Sequence, residues 1–218
     1  MTAPDYSELA IPEAIALQQH LRGQIVCSDA FGALRTVAGV DVGFDRQGSC
    51  CRAAVVVLQL PALALEEQVV VERPVQFPYV PGLLGFREAP VALAALAALT
   101  TSPDLLLCDG QGLAHPRRFG LACHLGLLAD IPSIGAAKSR LIGSHAPVGD
   151  ERGDWQPLID AGEVIGAVLR TRPGAHPLYV SPGHRISLAS AIDLVLRCTP
   201  RYRLPEPTRR AHQLASGR

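Results

Sequence analysis

The sequence predicts an α/β fold: one mixed sheet, three antiparallel strands followed by two parallel ones, with helices on both faces and further strands and a helix toward the C-terminus. Three observations predict it. Valine-rich runs at 36–44, 52–60 and 65–72 follow one another through short connections bearing Gly, Pro or Gln, the signature of antiparallel hairpins. Apolar runs at 104–109 and 132–136 are each preceded by a helical stretch, at 87–99 and 119–129, and strands entered through helical crossovers are parallel. Finally, 218 residues with 48% hydrophobic content and few aromatics suit a single domain with an aliphatic core.

In chain order, Pro12 to Leu21 reads as a helix with proline in its first turn and an apolar stripe at 14, 17, 21 and 25. The three valine-rich strands follow. A proline-rich loop from Phe77 to Phe86 leads into the Ala/Leu-rich helix at 87–99, where Pro90 sits in the first turn. The run Leu105-Leu106-Leu107-Cys108-Asp109-Gly110-Gln111-Gly112 reads as a buried strand that ends on a carboxylate and two glycines. Beyond residue 138 the pattern returns to β, with a hairpin from 155–159 and 164–170 and a short strand at 178–181. The loop Pro182-Gly183-His184-Arg185 precedes a helix capped by Ser187 that runs to Arg197. From Thr199 onward, arginines 201, 203, 209, 210 and 218 stand against Glu206. Composition makes 199–218 a flexible basic tail able to meet phosphates. There is no internal repeat and no domain linker.

Formal net charge is zero, so no overall field recruits a polyanion. No apolar run approaches the ~20 residues of a membrane span, and the N-terminus has neither a basic start nor an apolar core of a secretion signal. Six cysteines without a CxxC pair read as reduced structural thiols. These features lead us to expect a cytoplasmic, monomeric protein.

The chemistry-bearing residues are few. Lys138 is the sole lysine among twenty basic residues, and a compact ammonium differs from a planar guanidinium, so it marks a place where arginine cannot serve. Asp109 ends a buried strand, Asp41 lies mid-strand, and Glu88 opens a helix. Where the first and fourth strands are neighbours, Asp41 and Asp109 stand side by side, and two such carboxylates either share a proton or bind a cation. Oxygen ligands favour Mg²⁺ or Mn²⁺, which points to metal-assisted phosphoryl chemistry. The prolines of Pro78-Tyr79-Val80-Pro81 stiffen a tip that suits a wedge between bases, although an ordinary surface loop has the same composition. Gly82, Gly85, Gly110 and Gly112 allow close backbone approach to a ligand, and His115 and His184 lie in loops flanking the same cleft.

Several blocks then coincide with a known pattern: Gly39-Val40-Asp41-Val42, the stretch Pro78 to Glu88, Asp109 to Arg118, Gly135-Ala136-Ala137-Lys138-Ser139 and Ser181 to Ser187. In these blocks and their order the chain resembles the endonuclease V family of inosine-directed nucleases. The resemblance implies a ribonuclease H-like fold, with Asp41 and Asp109 holding a catalytic Mg²⁺ and Glu88 completing the acidic cluster. It implies that Lys138 acts on the attacking water or the phosphorane charge, that His184 approaches the metal's water shell, and that His115 contacts the nucleic-acid backbone. Pro78, Tyr79, Val80 and Pro81 become the wedge, with Tyr79 at its tip. Gly82, Leu84, Gly110 and Gly112 line a hypoxanthine pocket. The implied partner is inosine-containing DNA or RNA. The implied reaction is hydrolysis of the second phosphodiester bond 3′ to the lesion, leaving 3′-hydroxyl and 5′-phosphate ends. Gly43, where many relatives have a small hydroxyl residue, is a departure from the pattern. A non-catalytic binder would lack a carboxylate, and a hydrolase of small phosphate esters would lack the wedge.

Overall fold

Residues 4–217 are described by a computed structural model; Met1 to Ala3 and Arg218, the last arginine of the tail, lie outside them. The elements run α1 (Ile11–Arg22), β1 (Thr36–Phe44), β2 (Cys50–Gln59), β3 (Ala64–Pro74), α2 (Leu84–Ala97), β4 (Leu106–Cys108), α3 (Leu121–Ala129) and β5 (Ser133–Ala137). Then come β6 (Trp155–Asp160), β7 (Glu163–Leu169), β8 (Leu178–His184), α4 (Leu188–Arg197) and α5 (Glu206–Ala215). All eight strands form one sheet in the order β3-β2-β1-β4-β5-β8-β7-β6. β1, β2 and β3 are antiparallel; β1, β4 and β5 are parallel; β8 joins β5 antiparallel and carries β7 and β6 beyond it. The predicted mixed sheet is therefore the observed one.

The strand alternation divides the core. Val37, Leu105, Leu107, Ile134 and Ala136 face α4 and α5. Ala38, Val40, Leu106 and Cys108 face α2 and α3. The period of two carries Asp41, Asp109 and Lys138, each a residue or two beyond its strand's buried set, toward the α5 face.

Three local expectations differ from what is found. Residues 199–217 are not a flexible tail. Residues 206–215 form α5, which buries Pro207, Thr208, Ala211 and Ala215. A Cβ on Gly39 would meet the Pro207 carbonyl carbon at 2.0 Å, and one on Gly43 would meet the Ala215 oxygen at 2.7 Å, so the two glycines let α5 lie directly on β1. Its buried stripe is small residues instead of Leu or Ile, which hides it from a hydropathy reading. Three of the segment's arginines are also occupied: Arg209 and Arg210 pair with Glu206, and Arg203 bonds to carbonyls. The second difference concerns α2, which begins at Leu84 rather than Arg87, so Pro90 lies inside the helix. The chain enters it through Gly82, held at φ +78°, a conformation only glycine adopts freely. The third is β8, which runs through Pro182 and Gly183 to His184 by means of a register shift against Ser133 and Ile134, the kind of irregularity that admits proline into a sheet.

Candidate active site

The site forms where β1 and β4 run parallel. Val40 pairs with Cys108, and the Asp109 amide donates to the Val40 carbonyl at 3.3 Å. Asp41 and Asp109 thus occupy adjacent rungs on one face. The third member comes from α5. His212 Nδ1 lies 2.9 Å from Asp41 Oδ2, and one ligand atom each from Asp41, Asp109 and His212 all fall within 4.8 Å of one another. Sequence reasoning missed His212 because it belongs to the segment read as a tail; the i, i+4, i+8 spacing of Pro207, Ala211 and Ala215 was the signal that could have found it.

Lys138, immediately beyond β5, makes a close ion pair with Asp109 Oδ2. Its carbonyl accepts from Arg203 Nη2 at 2.8 Å, and the same guanidinium reaches the Pro177 carbonyl at 3.0 Å and, through Nε, the His176 carbonyl at 2.7 Å. The backbone carrying the lone lysine is thereby fixed to the connection that leads into α5.

Glu88, on α2, stands behind this group and is only 8% exposed. Burial, followed by the charges of Asp41 and Asp109, pushes its carboxyl up to about 8. Asp41 is also raised, first by burial and then by Asp109, while His212 and Lys138 pull the other way. Burial and neighbouring negative charge thus disfavour the ionised forms of Asp41 and Glu88, the condition that favours a divalent cation.

His184 is not part of this cluster. β8 runs antiparallel to β5, so His184 pairs with Ser133 at the start of β5, whereas Lys138 lies past its end. There its amide donates to Ser133 Oγ at 2.9 Å, and its Nε2 is 3.8 Å from Asp130 Oδ1. The imidazole beside the carboxylates is that of His212.

Next to the carboxylates the proline-rich loop presents Tyr79 at 70% exposure, anchored from below by buried Phe77, Leu83 and Phe86. Arg87 ties this loop to the β1–β2 turn by donating to the Phe77 carbonyl at 3.4 Å and the Gly48 carbonyl at 3.2 Å. Behind Tyr79 opens a cavity of about 170 Å³ whose walls include Val80, Pro81, Gly82, Leu84 and Gly110. Pro78 is exposed on the outer side of the tip. Gly112 does not line the cavity. Its amide donates to Ser181 Oγ at 2.8 Å, and a Cβ there would meet the Pro182 oxygen at 2.1 Å, so its smallness serves packing against β8. His115 lines the cavity but is 5% exposed, and burial, with Arg117 next, drives its imidazole down to about 4. At that value it is neutral near pH 7, and it faces the cavity. Gln111 joins the cavity to the residue after the lysine: its Nε2 donates to the Ser139 carbonyl at 3.0 Å, and its buried Oε1 has no partner among the described residues.

The model for the family Endonuclease V matches residues 19–213. The chain belongs to the endonuclease V family. Among its relatives, endonuclease V of a Nostoc species is 58% identical over 211 residues, 96% of each chain. That of Roseiflexus sp. (strain RS-1) is 58% identical over 207 residues, 95% of this chain and 92% of the relative. The crystal structure of endonuclease V from Streptomyces avermitilis is similar with a TM-score of 0.94 at 43% identity, covering 100% of this chain and 97% of that one. Endonuclease V of Ciona intestinalis, solved in complex with a 24mer DNA containing an inosine followed by a ribo-adenosine, is similar with a TM-score of 0.84 at 29% identity, covering 95% and 96%. Endonuclease V relatives at this similarity make the chain a nuclease. Among the described residues no helix is long and apolar enough to cross a membrane.

Proposed function

We propose that this protein is a Mg²⁺-dependent repair endonuclease that recognises inosine and hydrolyses the second phosphodiester bond on its 3′ side, leaving 3′-hydroxyl and 5′-phosphate ends. The observation that carries the reading is the convergence of Asp41, Asp109 and His212, from two strands and a helix, beside a cavity fronted by an exposed tyrosine. A binder alone has no use for such a cluster, and a phosphatase for small esters has no use for the wedge.

The residues present fit a divalent cation. Two carboxylate oxygens and an imidazole nitrogen lie close enough to share one ion, and the raised carboxyls of Asp41 and Glu88 show negative charge in need of compensation. Asp41, Asp109 and His212 would hold it, with Glu88 adding charge from behind; Mn²⁺ suits the same mixed donor set. When bound, the ion supplies Lewis-acid charge at a phosphate oxygen and lowers the pKa of water.

The chain's own groups do the rest. Tyr79 fills the gap left by the extruded base, as an apolar wedge does between stacked bases. The backbone at Gly82, Leu84 and Gly110 lines the hypoxanthine pocket, and neutral His115 lies on its wall. Extrusion costs a few kcal/mol, least for a poorly paired base such as inosine. Lys138, held by Asp109 and through its carbonyl by Arg203, brings its ammonium Nζ to the phosphate being cut, where it orients the attacking water or offsets phosphorane charge. Attack by water at phosphorus breaks the P–O3′ bond: the 3′-oxygen leaves as a hydroxyl and the phosphate stays on the 5′ end.

The Ciona relative binds a strand with a ribonucleotide next to the inosine, which favours RNA as a second substrate for this chain. The test is cleavage of matched inosine-containing DNA and RNA strands, with Mg²⁺ and with chelator. We expect one cut, between the first and second nucleotides on the 3′ side of the lesion, only with metal. Equal cutting of adenine controls would overturn the base-directed reading, and cutting in chelator would overturn the metal.

A further inference from the structure

Two of the segments that line the cavity owe little to the sheet: the wedge loop, with Gly82, and Phe119-Gly120-Leu121 at the start of α3. Both bear a glycine next to the cavity, Gly82 and Gly120, where the backbone is free to adopt other conformations. Yet a pocket lined by backbone separates one base edge from another only if that backbone is held to a fraction of an ångström. What holds it comes from α1, outside the sheet.

The buried residues of α1 are Ala14 and Gln18. Gln18 is 2% exposed, and it lies one residue before the segment that matches the family, residues 19–213. Its amide nitrogen donates to the Gly82 carbonyl at 3.1 Å and to the Phe119 carbonyl at 2.8 Å. Its Oε1 accepts a short hydrogen bond from Arg117 Nε, and Arg117 Nη2 donates a second bond to the Gly82 carbonyl at 2.6 Å. The amide orientation is not arbitrary. Two of its partners are carbonyls, which only accept, and the third is a guanidinium, which only donates. One side chain on the cavity wall therefore ties the wedge loop to Phe119, with every polar atom used. A buried amide is costly unless it is bonded in this way.

We propose that Gln18, braced by Arg117, is a positioning residue that sets the width of the base pocket and thereby its selectivity for hypoxanthine. It touches neither the carboxylates nor Lys138. The inference rests on the base-directed reading given above.

The test compares the wild type with Gln18→Leu, which removes the bridge, and Gln18→Glu, which keeps an acceptor for Arg117 but turns oxygen toward both carbonyls. Each is measured on strands carrying inosine, adenine or a tetrahydrofuran abasic-site analogue at the same position, the last placing nothing in the pocket. For both variants we expect binding to the inosine strand to weaken about tenfold, the loss of roughly one well-placed hydrogen bond. Binding to the abasic strand should stay within about twofold, and the Mg²⁺ concentration for half-maximal cleavage should not change. A merely structural role would weaken inosine and abasic strands alike, and that result, or undiminished inosine binding in both variants, would overturn the proposal. A wild type that does not prefer inosine to adenine would instead overturn the base-directed reading, so the two failures are distinguishable.

Discussion

Glu88→Gln should stabilise the metal-free protein at alkaline pH, and the size of the effect follows from the site. The Glu88 carboxyl rises from its ordinary value of 4.5 to about 8 in the fold, because of burial first and the neighbouring Asp41 and Asp109 charges second. The folded chain therefore keeps a proton that the unfolded chain releases between these two values. In that window the native state binds more protons, so stability falls as pH rises, by about 1.4 kcal/mol per unit at most. By pH 8 the loss is on the order of 4 kcal/mol, an upper figure because buried sites relax. His124 and His115 act in the opposite sense. Burial drives them down to about 3 and about 4, so they cost stability as pH falls from 6.5 toward those values. Because these histidines are common to both proteins, the difference between wild type and Glu88→Gln isolates the carboxyl. The assay is urea denaturation in chelator at pH 5, 6.5 and 8. We expect the variant to gain on the wild type as pH rises, and added Mg²⁺ to recover the wild type more at pH 8 than at pH 5. A difference that stays constant across the three pH values would refute the crowded-carboxyl reasoning.

Tyr79→Ala should weaken binding to an inosine-containing duplex by about tenfold, within the stacking range of roughly 1–3 kcal/mol, with unchanged Mg²⁺ dependence; gel-shift titration and metal titration of the cleavage rate check the two halves. For Lys138→Arg we expect a fall in single-turnover rate of about a hundredfold or more, since a planar guanidinium cannot take the place of a compact ammonium against Asp109; near wild-type turnover would make the lone lysine an accident of composition. Gly39→Ala should lower stability by about 1–3 kcal/mol as an overpacked contact. It should also raise the Mg²⁺ concentration needed for cleavage, because the new methyl would displace the Pro207 backbone and with it the helix that carries His212; melting and metal titration together test this.

Much of the sheet was legible because valine runs and an abrupt Asp-Gly ending are local signals. β1 has its predicted bounds, and the pairing of Val40 with Cys108 is the one that brings Asp41 beside Asp109. What the sequence hid was non-local or chemically quiet. α5 buries alanine, threonine and proline against Gly39 and Gly43, so its apolar face does not look apolar, and His212 was lost with it. His184 was misplaced because Pro182-Gly183 reads as a turn, while the bulge against Ser133 keeps it in the sheet at the far end from Lys138. His115 looked like a polar loop residue; only the packed structure shows it buried, which drives its imidazole down to about 4. Gln18 breaks an amphipathic stripe and would pass for a solvent-facing residue, yet it closes the pocket.

The most direct measurement is cleavage of an inosine-containing strand by Asp109→Asn across a Mg²⁺ titration, with a melting curve to show that the fold persists. The substitution keeps the shape of the side chain and removes the charge that faces Lys138 and Asp41. If Asp41, Asp109 and His212 together hold the ion that the reaction needs, the variant melts cooperatively and leaves the strand intact at every Mg²⁺ concentration. A folded variant that cuts at the wild-type rate would contradict the account.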